Sequence, residues 1–205
     1  FLWMEMDIYF AEPLPNFVLG FRARRQPMDA TEHMRTLLQK ATEWGQPMLL
    51  ASLDIAAAFD NVLYLAVSSL LYVNNVPPQY RYAWLRENMH CTGTIVSAGG
   101  SSEPFARSRG LPQGNSSSPW AFNRLLQKPL QKIKDQWAEV GQALPWMDDA
   151  SAPGLLLWAD NIYIWAADWD TLQKRARDLE KALARCGFLF GSDSLMVLAN
   201  GVAPA

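Results

Sequence analysis

Apolar residues show two different spacing patterns along the first quarter of the chain. They recur at helical spacing between Asp29 and Gly45, and Asp29 with Glu32 predicts a capping box at the start of that helix. Gly45 is typical of the residue that ends a helix. The run 48–55 that follows is largely apolar and contains a single carboxylate, Asp54. It predicts a buried strand.

The rest of the chain repeats these two patterns. It predicts helices over about 61–73, 79–89, 119–140 and 168–185, and strands over about 92–97, 104–108, 155–158, 162–165, 188–190 and 195–199. A turn joins the two strands of each successive pair, and the last two pairs are predicted hairpins. This order of elements is typical of an α+β domain in which helices back an antiparallel sheet.

The composition of the 205 residues fits one domain, or one domain with a fragment of another. Half of the residues are hydrophobic and 12% are aromatic, which allows a sizeable core and is not typical of a disordered chain. No apolar run approaches the roughly 18 residues of a membrane-spanning helix. The two cysteines, Cys91 and Cys186, do not have the spacing of a zinc site. Neither they nor any targeting signal indicates a compartment.

The net charge of −2 counts mildly against a nucleic-acid-binding surface, since neutralised phosphates supply most of the affinity of such proteins. Basic residues do cluster in two places, which are Arg22, Arg24 and Arg25, and Lys128, Lys132 and Lys134. The lysine cluster fits a solvated helix face as well as it fits a phosphate contact.

Two of the predicted apolar strands end in aspartates, Asp54 and Asp160. A carboxylate among buried residues is costly unless a cation neutralises it. Two Mg²⁺ ions held by carboxylates at strand ends would do so, and such a pair also suits phosphoryl transfer. Isolated aspartates at strand ends also serve as turn formers or caps, so these two residues alone leave both interpretations open.

Five sequence blocks resemble the palm of reverse transcriptases from LINE-type (non-LTR) retroelements. They are GFRARRQPMD at 20–29, SLDIAAAFDNV at 52–62, GLPQGNSSSPWAFN at 110–123, LWADN at 157–161 and GFLFGSDSLMVL at 187–198. In that family they correspond to the block before motif A and to motifs A, B, C and D. Their order is the family's order and they cover nearly the whole chain. The resemblance therefore implies a polymerase palm.

The resemblance assigns catalytic roles to three residues. Asp54 and Asp160 would bind the metal, and Asn161 would complete the catalytic set as the second residue of motif C. Asp54 should then end a central strand, and Asp160 with Asn161 should form the tip of a hairpin on a neighbouring strand. Mg²⁺ is the expected cofactor if the protein is active.

The resemblance also implies four nucleotide-binding residues. Phe59 would be the steric gate that lies under the sugar and rejects a 2′-hydroxyl, although it also fits a core aromatic at the start of a helix. Ile55 would offer its backbone amide to the triphosphate. Gln113 and Gly114 would shape the nucleotide pocket.

Several positions depart from the family's pattern, and all of them lie on the phosphate and metal side. Asn161 replaces the second aspartate of motif C, so the site loses a charge. Ala56 and Ala57 stand where motif A usually carries lysine. Asn115 replaces an acidic residue of motif B, and Ser194 replaces the motif D lysine that donates a proton to pyrophosphate.

These departures favour a reverse-transcriptase-derived palm that is inactive and kept as a structural or interaction subunit. We expect residues 1–47 to be a remnant of the fingers with a connecting helix, residues 48–205 to form the palm, and no thumb to follow. The chain begins with phenylalanine, so it is a processed product, a fragment or a trimmed chain.

The inactive-subunit hypothesis predicts protein partners. The chain contains nine tryptophans, and this residue is enriched at interfaces. Ordinary core packing explains tryptophans equally well. No bound metal is expected for an inactive palm. The alternative is the active RNA-directed DNA polymerase core of a non-LTR retroelement, seen as a fragment, with Mg²⁺ and an RNA or DNA template-primer as its ligands.

Overall fold

The computed structural model describes residues 2–89, 91–140, 144, 146 and 154–202. The chain divides into two compact units. The helical unit contains residues 1–13 and 57–125, and the sheet unit contains residues 14–56 and 126–205. Both units are discontinuous along the chain and neither has a boundary at residue 47. The assignment of residues 1–47 to the fingers stays a prediction.

The described elements alternate between helices and short strands. In chain order they are α1 (Leu2–Asp7), α2 (Pro27–Glu43), β1 (Leu49–Asp54), α3 (Tyr64–Val73), α4 (Pro78–Met89), β2 (Thr92–Gly93), β3 (Val96–Ser97), β4 (Gly100–Ser101), β5 (Phe105–Ala106), α5 (Ser117–Val140), β6 (Leu155–Trp158), β7 (Asn161–Ala166), α6 (Trp169–Arg185) and β8 (Met196–Ala199). Within the described residues, no helix is both long and apolar enough to cross a membrane.

The sheet unit is organised around a four-stranded antiparallel sheet in the order β6-β7-β1-β8. Residues 17–20 extend it beyond β6 through a parallel bridge between Val18 and Leu157. At the other edge Asn200 holds β8 against the start of β1. Its side chain accepts a hydrogen bond from the Met48 N–H at 3.1 Å and donates one to the Gln46 carbonyl at 2.7 Å. Strand β1 is therefore central.

The two faces of this sheet differ in burial. On one face Ala51 and Leu53 of β1 lie opposite Ile164 and Ile162 of β7, and all four side chains are buried. They form the core of the unit with the apolar stripe of α6, which packs against β7 and β1. On the other face the residues near the end of β1 are half-buried and polar. This difference keeps one end of the sheet accessible.

The helical unit packs α1, α3, α4 and the start of α5 around its own core. Val67 and Leu71 of α3, Trp84 of α4 and Phe122 of α5 are almost completely buried. The short strands form two small antiparallel pairs, β2 with β5 and β3 with β4. The predicted strands 92–97 and 104–108 are therefore each shorter than expected, and the inner residues form a second hairpin.

The predicted start of α2 was wrong. The helix begins at Pro27, whose fixed φ and missing N–H suit the first helical position. Asp29 is therefore the third helical residue, and its carboxylate accepts a hydrogen bond from the Gln26 N–H at 3.0 Å. The predicted end at Gly45 is confirmed, since φ is +63° there and the N–H of Gly45 donates to the Thr42 carbonyl.

The predicted final hairpin was also wrong. Residues 188–190 and β8 do not pair with each other, because both align antiparallel to β1 and its continuation. Phe190 bridges Ile55, and β8 pairs with residues 49–52. Together they form one interrupted edge strand. Apolar alternation alone predicts strands but does not identify the partner of each strand.

Candidate active site

The end of β1 lies directly beside the β6–β7 hairpin. Asp54 is the last residue of β1 and pairs in register with Asn161, the first residue of β7. The Ile55 N–H donates to the carbonyl of Asp160 at 3.0 Å. The two aspartates therefore come from neighbouring strands, with Asp54 at the end of a central strand and Asp160 at a hairpin tip. This arrangement is the one predicted from the sequence.

The hairpin turn has only two residues, Ala159 and Asp160, between the paired residues Trp158 and Asn161. Ala159 has φ of +54°, a left-handed conformation at the turn position where glycine is preferred. For a residue with a side chain this conformation costs about 1–2 kcal/mol. The turn therefore stores strain next to Asp160, and the surrounding chain must hold it in place.

Residues 17–20 support this turn from the side of β6. The Leu157 N–H donates to the Phe17 carbonyl at 2.8 Å, and the Leu157 carbonyl accepts from Leu19 at 2.9 Å and from Gly20 at 3.2 Å. A Cβ atom on Gly20 would lie 2.2 Å from the backbone nitrogen of Ala159. Only glycine fits there. The sequence had singled out the block that begins with Gly20 but had not shown this role.

The segment that follows α6 supports Asp54 from the other side. The carbonyl of Asp54 accepts a hydrogen bond from the Gly191 N–H at 3.1 Å, and the Ala56 N–H donates to the Leu189 carbonyl at 2.8 Å. The backbone of Asp54 is thus held between the hairpin and the motif D segment. Ser194, in the place of the motif D lysine, lies in a turn that its N–H closes onto the Gly191 carbonyl.

The charged form of Asp54 is disfavoured in this site. Burial raises the pKa of Asp54, and the neighbouring charge of Asp160 raises it further. The pKa of Tyr163 is also raised, mainly by burial, with a hydrogen bond from Ser52 opposing the shift and Asp160 adding to it. The Asn161 side chain donates a hydrogen bond to the Asp160 carboxylate at 3.4 Å. The site therefore carries negative charge, and the long hydrogen bond from Asn161 compensates it only weakly.

The donor set fits a divalent cation that is completed by a substrate. Mg²⁺ is commonly held by one or two carboxylates together with substrate phosphates and water. Asp54 and Asp160 provide two carboxylates, and the carbonyl oxygen of Asn161 is a neutral donor. The described residues contain no group of three or more His, Cys, Asp or Glu side chains placed to share a metal ion. Mg²⁺ bound here would neutralise the carboxylates and polarise a phosphate.

The implied role of Ile55 does not fit its contacts. Its side chain is buried, and its N–H is already engaged by the carbonyl of Asp160. An amide that completes the sheet is not available to a triphosphate. The prediction that Ile55 offers this group to the nucleotide is therefore not supported by the hydrogen bonds of the sheet.

The other three predicted nucleotide-binding residues lie in the helical unit. Phe59 is half-buried and stacks on Phe122, with ring centroids 5.0 Å apart. Its carbonyl accepts a hydrogen bond from the Leu111 N–H at 2.8 Å, which joins the motif A and motif B segments. Gln113 and Gly114 are exposed, and Gly114 has φ of +83°. Their roles toward a nucleotide stay predictions.

Asn115, which replaces an acidic residue, has a structural role. Its side-chain oxygen accepts from the Ser117 N–H at 3.0 Å and from the Ser117 hydroxyl at 3.1 Å, at the start of α5. Its amide donates to the side chain of the buried Asn88 at 3.3 Å. A carboxylate could not make this last contact, because an ionised aspartate has no hydrogen to donate.

The sequence profile of the reverse transcriptase (RNA-dependent DNA polymerase) family matches residues 5–192. The chain belongs to this family. A sequence search of curated proteins returned no match.

Solved structures of telomerases have a similar fold. The telomerase of Candida tropicalis in complex with the TWJ fragment of telomeric RNA has a TM-score of 0.66 at 12% identity, over 100% of this chain and 33% of the telomerase chain. The corresponding complex from Candida albicans has a TM-score of 0.69 at 12% identity, over 96% and 33%. The C. tropicalis apo telomerase truncated from its C-terminal domain has a TM-score of 0.65 at 13% identity, over 100% and 40%.

This chain therefore spans about a third to two fifths of the telomerase chains that it matches. The predicted fold class is confirmed: it is an α+β fold with a palm-like antiparallel sheet of the kind found in telomerase.

Proposed function

We propose that this chain is a LINE-type reverse-transcriptase palm that no longer polymerises DNA and is kept as a structural or interaction subunit. One observation carries this proposal. The residue paired with Asp54 across β1 and β7 is Asn161, and its amide donates to Asp160. The position that would complete a carboxylate triad therefore holds a neutral side chain.

The loss of one carboxylate weakens the step on which the reaction depends. Phosphoryl transfer is catalysed mainly by positioning and by stabilising charge, and the metals supply most of that charge stabilisation. Fewer carboxylates hold Mg²⁺ less tightly. Ser194 cannot act as a general acid for pyrophosphate in the way lysine does, and such an acid contributes about 10²–10⁴-fold. Ala56 and Ala57 add no positive charge beside the phosphates.

The exposed tryptophans are the surfaces on which partner proteins would bind. Trp84 and Trp165 are buried and fill the cores of their units. Trp44 is 53% exposed and Trp169 is 48% exposed. A large aromatic side chain that is half in water is available to an interface, so these two residues carry the proposal of protein partners. The LINE-type assignment depends on the motif resemblance, because the telomerase likeness indicates the fold alone.

The alternative function is an active RNA-directed DNA polymerase core. The observation that favours it is the preserved pair of Asp54 and Asp160 on an intact hairpin. Burial and the charge of Asp160 raise the pKa of Asp54, and carboxylates with perturbed pKa values are typical of functional sites. In that case Mg²⁺ and a template-primer would bind here.

Primer extension separates these two functions. The chain would be incubated with a DNA primer on an RNA template, deoxynucleotides and either Mg²⁺ or Mn²⁺, with Asp54→Asn as the blank. We expect no extension by the unmodified chain. Asn161→Asp with Ser194→Lys should gain little, because these changes do not help to hold the template-primer duplex and the net charge of −2 offers no general electrostatic attraction for it. Extension by the unmodified chain that the blank lacks would establish the polymerase and refute the inactive subunit.

A measurement of Mn²⁺ binding makes the absence of primer extension informative. Electron paramagnetic resonance measures the concentration of free Mn²⁺ in the presence of the protein. The inactive palm should bind Mn²⁺ only weakly. Asn161→Asp should tighten Mn²⁺ binding by restoring a carboxylate. Saturation of the unmodified chain at micromolar Mn²⁺, abolished by Asp54→Asn, would favour the polymerase even if the chain extends no primer.

A further inference from the structure

A cavity of about 200 Å³ lies in the sheet unit, between the second half of α5 and α6. Its walls combine an apolar side with a charged side. The residues that matter to its chemistry are Trp137 and Val140 of α5, and Thr171, Lys174, Arg175 and Asp178 of α6. None of them belongs to the motif blocks or to the carboxylate pair.

Arg175 is the unusual member of this group. It is only 5% exposed, and its guanidinium lies over the ring of Trp137 at 4.6 Å from the centroid. A guanidinium has five N–H donors, yet the described hydrogen bond of Arg175 is a single long one, 3.5 Å to the carbonyl of Trp165. A cation this buried, with the face of Trp137 and one long hydrogen bond among the described residues, is only partly compensated.

Among the described residues, the two carboxylates whose charges act on Arg175, Asp168 and Asp178, do not form an ion pair with it. Asp178 accepts a hydrogen bond from the Trp137 ring nitrogen at 3.1 Å, and Asp168 accepts one from the Thr171 N–H at 2.8 Å, at the start of α6. Burial lowers the pKa of Arg175 to about 10, and the charges of Asp168 and Asp178 only partly oppose that shift.

We propose that this cavity binds a small carboxylate, which pairs with Arg175 and Lys174 while its apolar body contacts Trp137 and Val140. Of the described lining residues, Lys174, Arg175 and Asp178 sum to one net positive charge, and Asp168 beside Arg175 lowers the local positive charge further. A singly charged carboxylate neutralises this charge, whereas a doubly charged phosphate exceeds it. The planar guanidinium also matches the two oxygens of a carboxylate.

The size of the cavity restricts the ligand. Drug-sized ligands occupy pockets of about 300–1,000 Å³, so this cavity fits a molecule of about the size of an amino-acid side chain. A small carboxylate with an apolar body could come from either of two sources. One is a free short-chain organic acid, and the other is a glutamate side chain of a bound peptide. Sodium isovalerate represents the first, and acetyl-glutamate amide represents the second.

Thermal unfolding with these two probes tests the proposal, with sodium chloride at equal ionic strength as the reference. We expect at least one probe to raise the melting temperature of the unmodified chain in a saturable way, and the probe that does so identifies the source. Lys174→Met should weaken that response, and Arg175→Met should weaken it by roughly tenfold to a hundredfold in affinity. Lys181→Met, on an exposed part of α6, is the matched control and should respond like the unmodified chain.

The stability of Arg175→Met without ligand gives a second readout. Removal of a buried charge that is only partly compensated should leave the melting temperature unchanged or raise it. A lower melting temperature for Arg175→Met, with no response of the unmodified chain to either probe, would show that Arg175 is structural and overturn the proposal. An equal response from the Lys181 and Lys174 variants would overturn it too, because the effect would then be one of salt.

Discussion

Removal of the Asp7 carboxylate should destabilise the helical unit strongly, because this group is the counter-charge of a buried arginine. Arg124 on α5 is only 4% exposed, and its guanidinium donates to the same oxygen of Asp7 at 2.7 and 3.0 Å. The Trp120 ring nitrogen donates to that oxygen at 2.6 Å, and a third arginine nitrogen donates to the Glu12 carbonyl at 2.8 Å. The guanidinium also lies 4.7 Å from the centre of the Phe10 ring.

The expected loss follows from what Asp7→Ala leaves behind. Breaking a buried ion pair by removing one partner costs about 3–5 kcal/mol, since the other charge stays buried without compensation. Asp7 is itself 39% exposed, so water can replace part of its contribution and the lower end, about 3 kcal/mol, applies. For a chain of this length that corresponds to a melting temperature lowered by roughly 6–12 °C.

Urea unfolding followed by circular dichroism would measure this loss. Glu12→Ala is the matched control, because only the backbone carbonyl of Glu12 is used, and it should stay within about 0.5 kcal/mol of the unmodified chain. Arg124→Met with Asp7→Ala should lose less than the sum of the two single variants, since no charge is then left buried. Additive losses, or an Asp7→Ala variant as stable as the Glu12→Ala control, would refute the reasoning.

Three further predictions concern the sheet unit. Gly20→Ala should lower the free energy of unfolding by about 1–3 kcal/mol, because its Cβ would lie 2.2 Å from the backbone nitrogen of Ala159. Gly99→Ala, in the helical unit, is the control and should have little effect, because its Cβ would meet the Ser97 hydroxyl oxygen at an ordinary contact distance of 3.9 Å; equal unfolding midpoints for the two variants would contradict this. Asp54→Asn should raise the free energy of unfolding at pH 7, because the folded-state pKa of Asp54 is raised. The gain should disappear below pH 3.8, where the carboxyl is protonated in both the folded and the unfolded state. A loss of stability at pH 7 would show that the carboxylate is compensated. Burial lowers the folded-state pKa of His33 below 6.5, so the protein should lose stability as the pH falls below 6.5, and His33→Phe should flatten this part of a pH series of urea midpoints.

The sequence predicted the parts of the fold that depend on local pattern. Strand β1 and the β6–β7 hairpin were predictable because an apolar run ends in a polar turn at each place. The prediction that Asp54 and Asp160 lie on neighbouring strands is confirmed, because Asp54 pairs with Asn161, the residue that follows Asp160. The pairing of Arg124 with Asp7 was not predictable, since 117 positions separate them and neither lies in a pattern that marks a partner.

The failures have a common physical cause. The partner of an edge strand is chosen by which backbone edge is left open in the folded sheet, and no local periodicity records that choice. This applies to residues 188–190 and β8, which pair with β1 although the sequence suggests that they pair with each other. It applies equally to Gly20, whose role depends on a backbone atom of Ala159.

The long separation between β1 and its neighbours has a consequence for biosynthesis. Strand β1 emerges from the ribosome well before β7 and β8, the strands that pair with it on its two sides. The Asn200 contacts that lock the start of β1 span 152 and 154 positions. Until those residues are synthesised, β1 is an apolar strand with two open edges. Such segments promote association between nascent chains. A product released by a ribosome that stalls before residue 195 would lack β8, so one edge of β1 would stay open. Such a product would be prone to aggregate and would depend on chaperones to shield this edge.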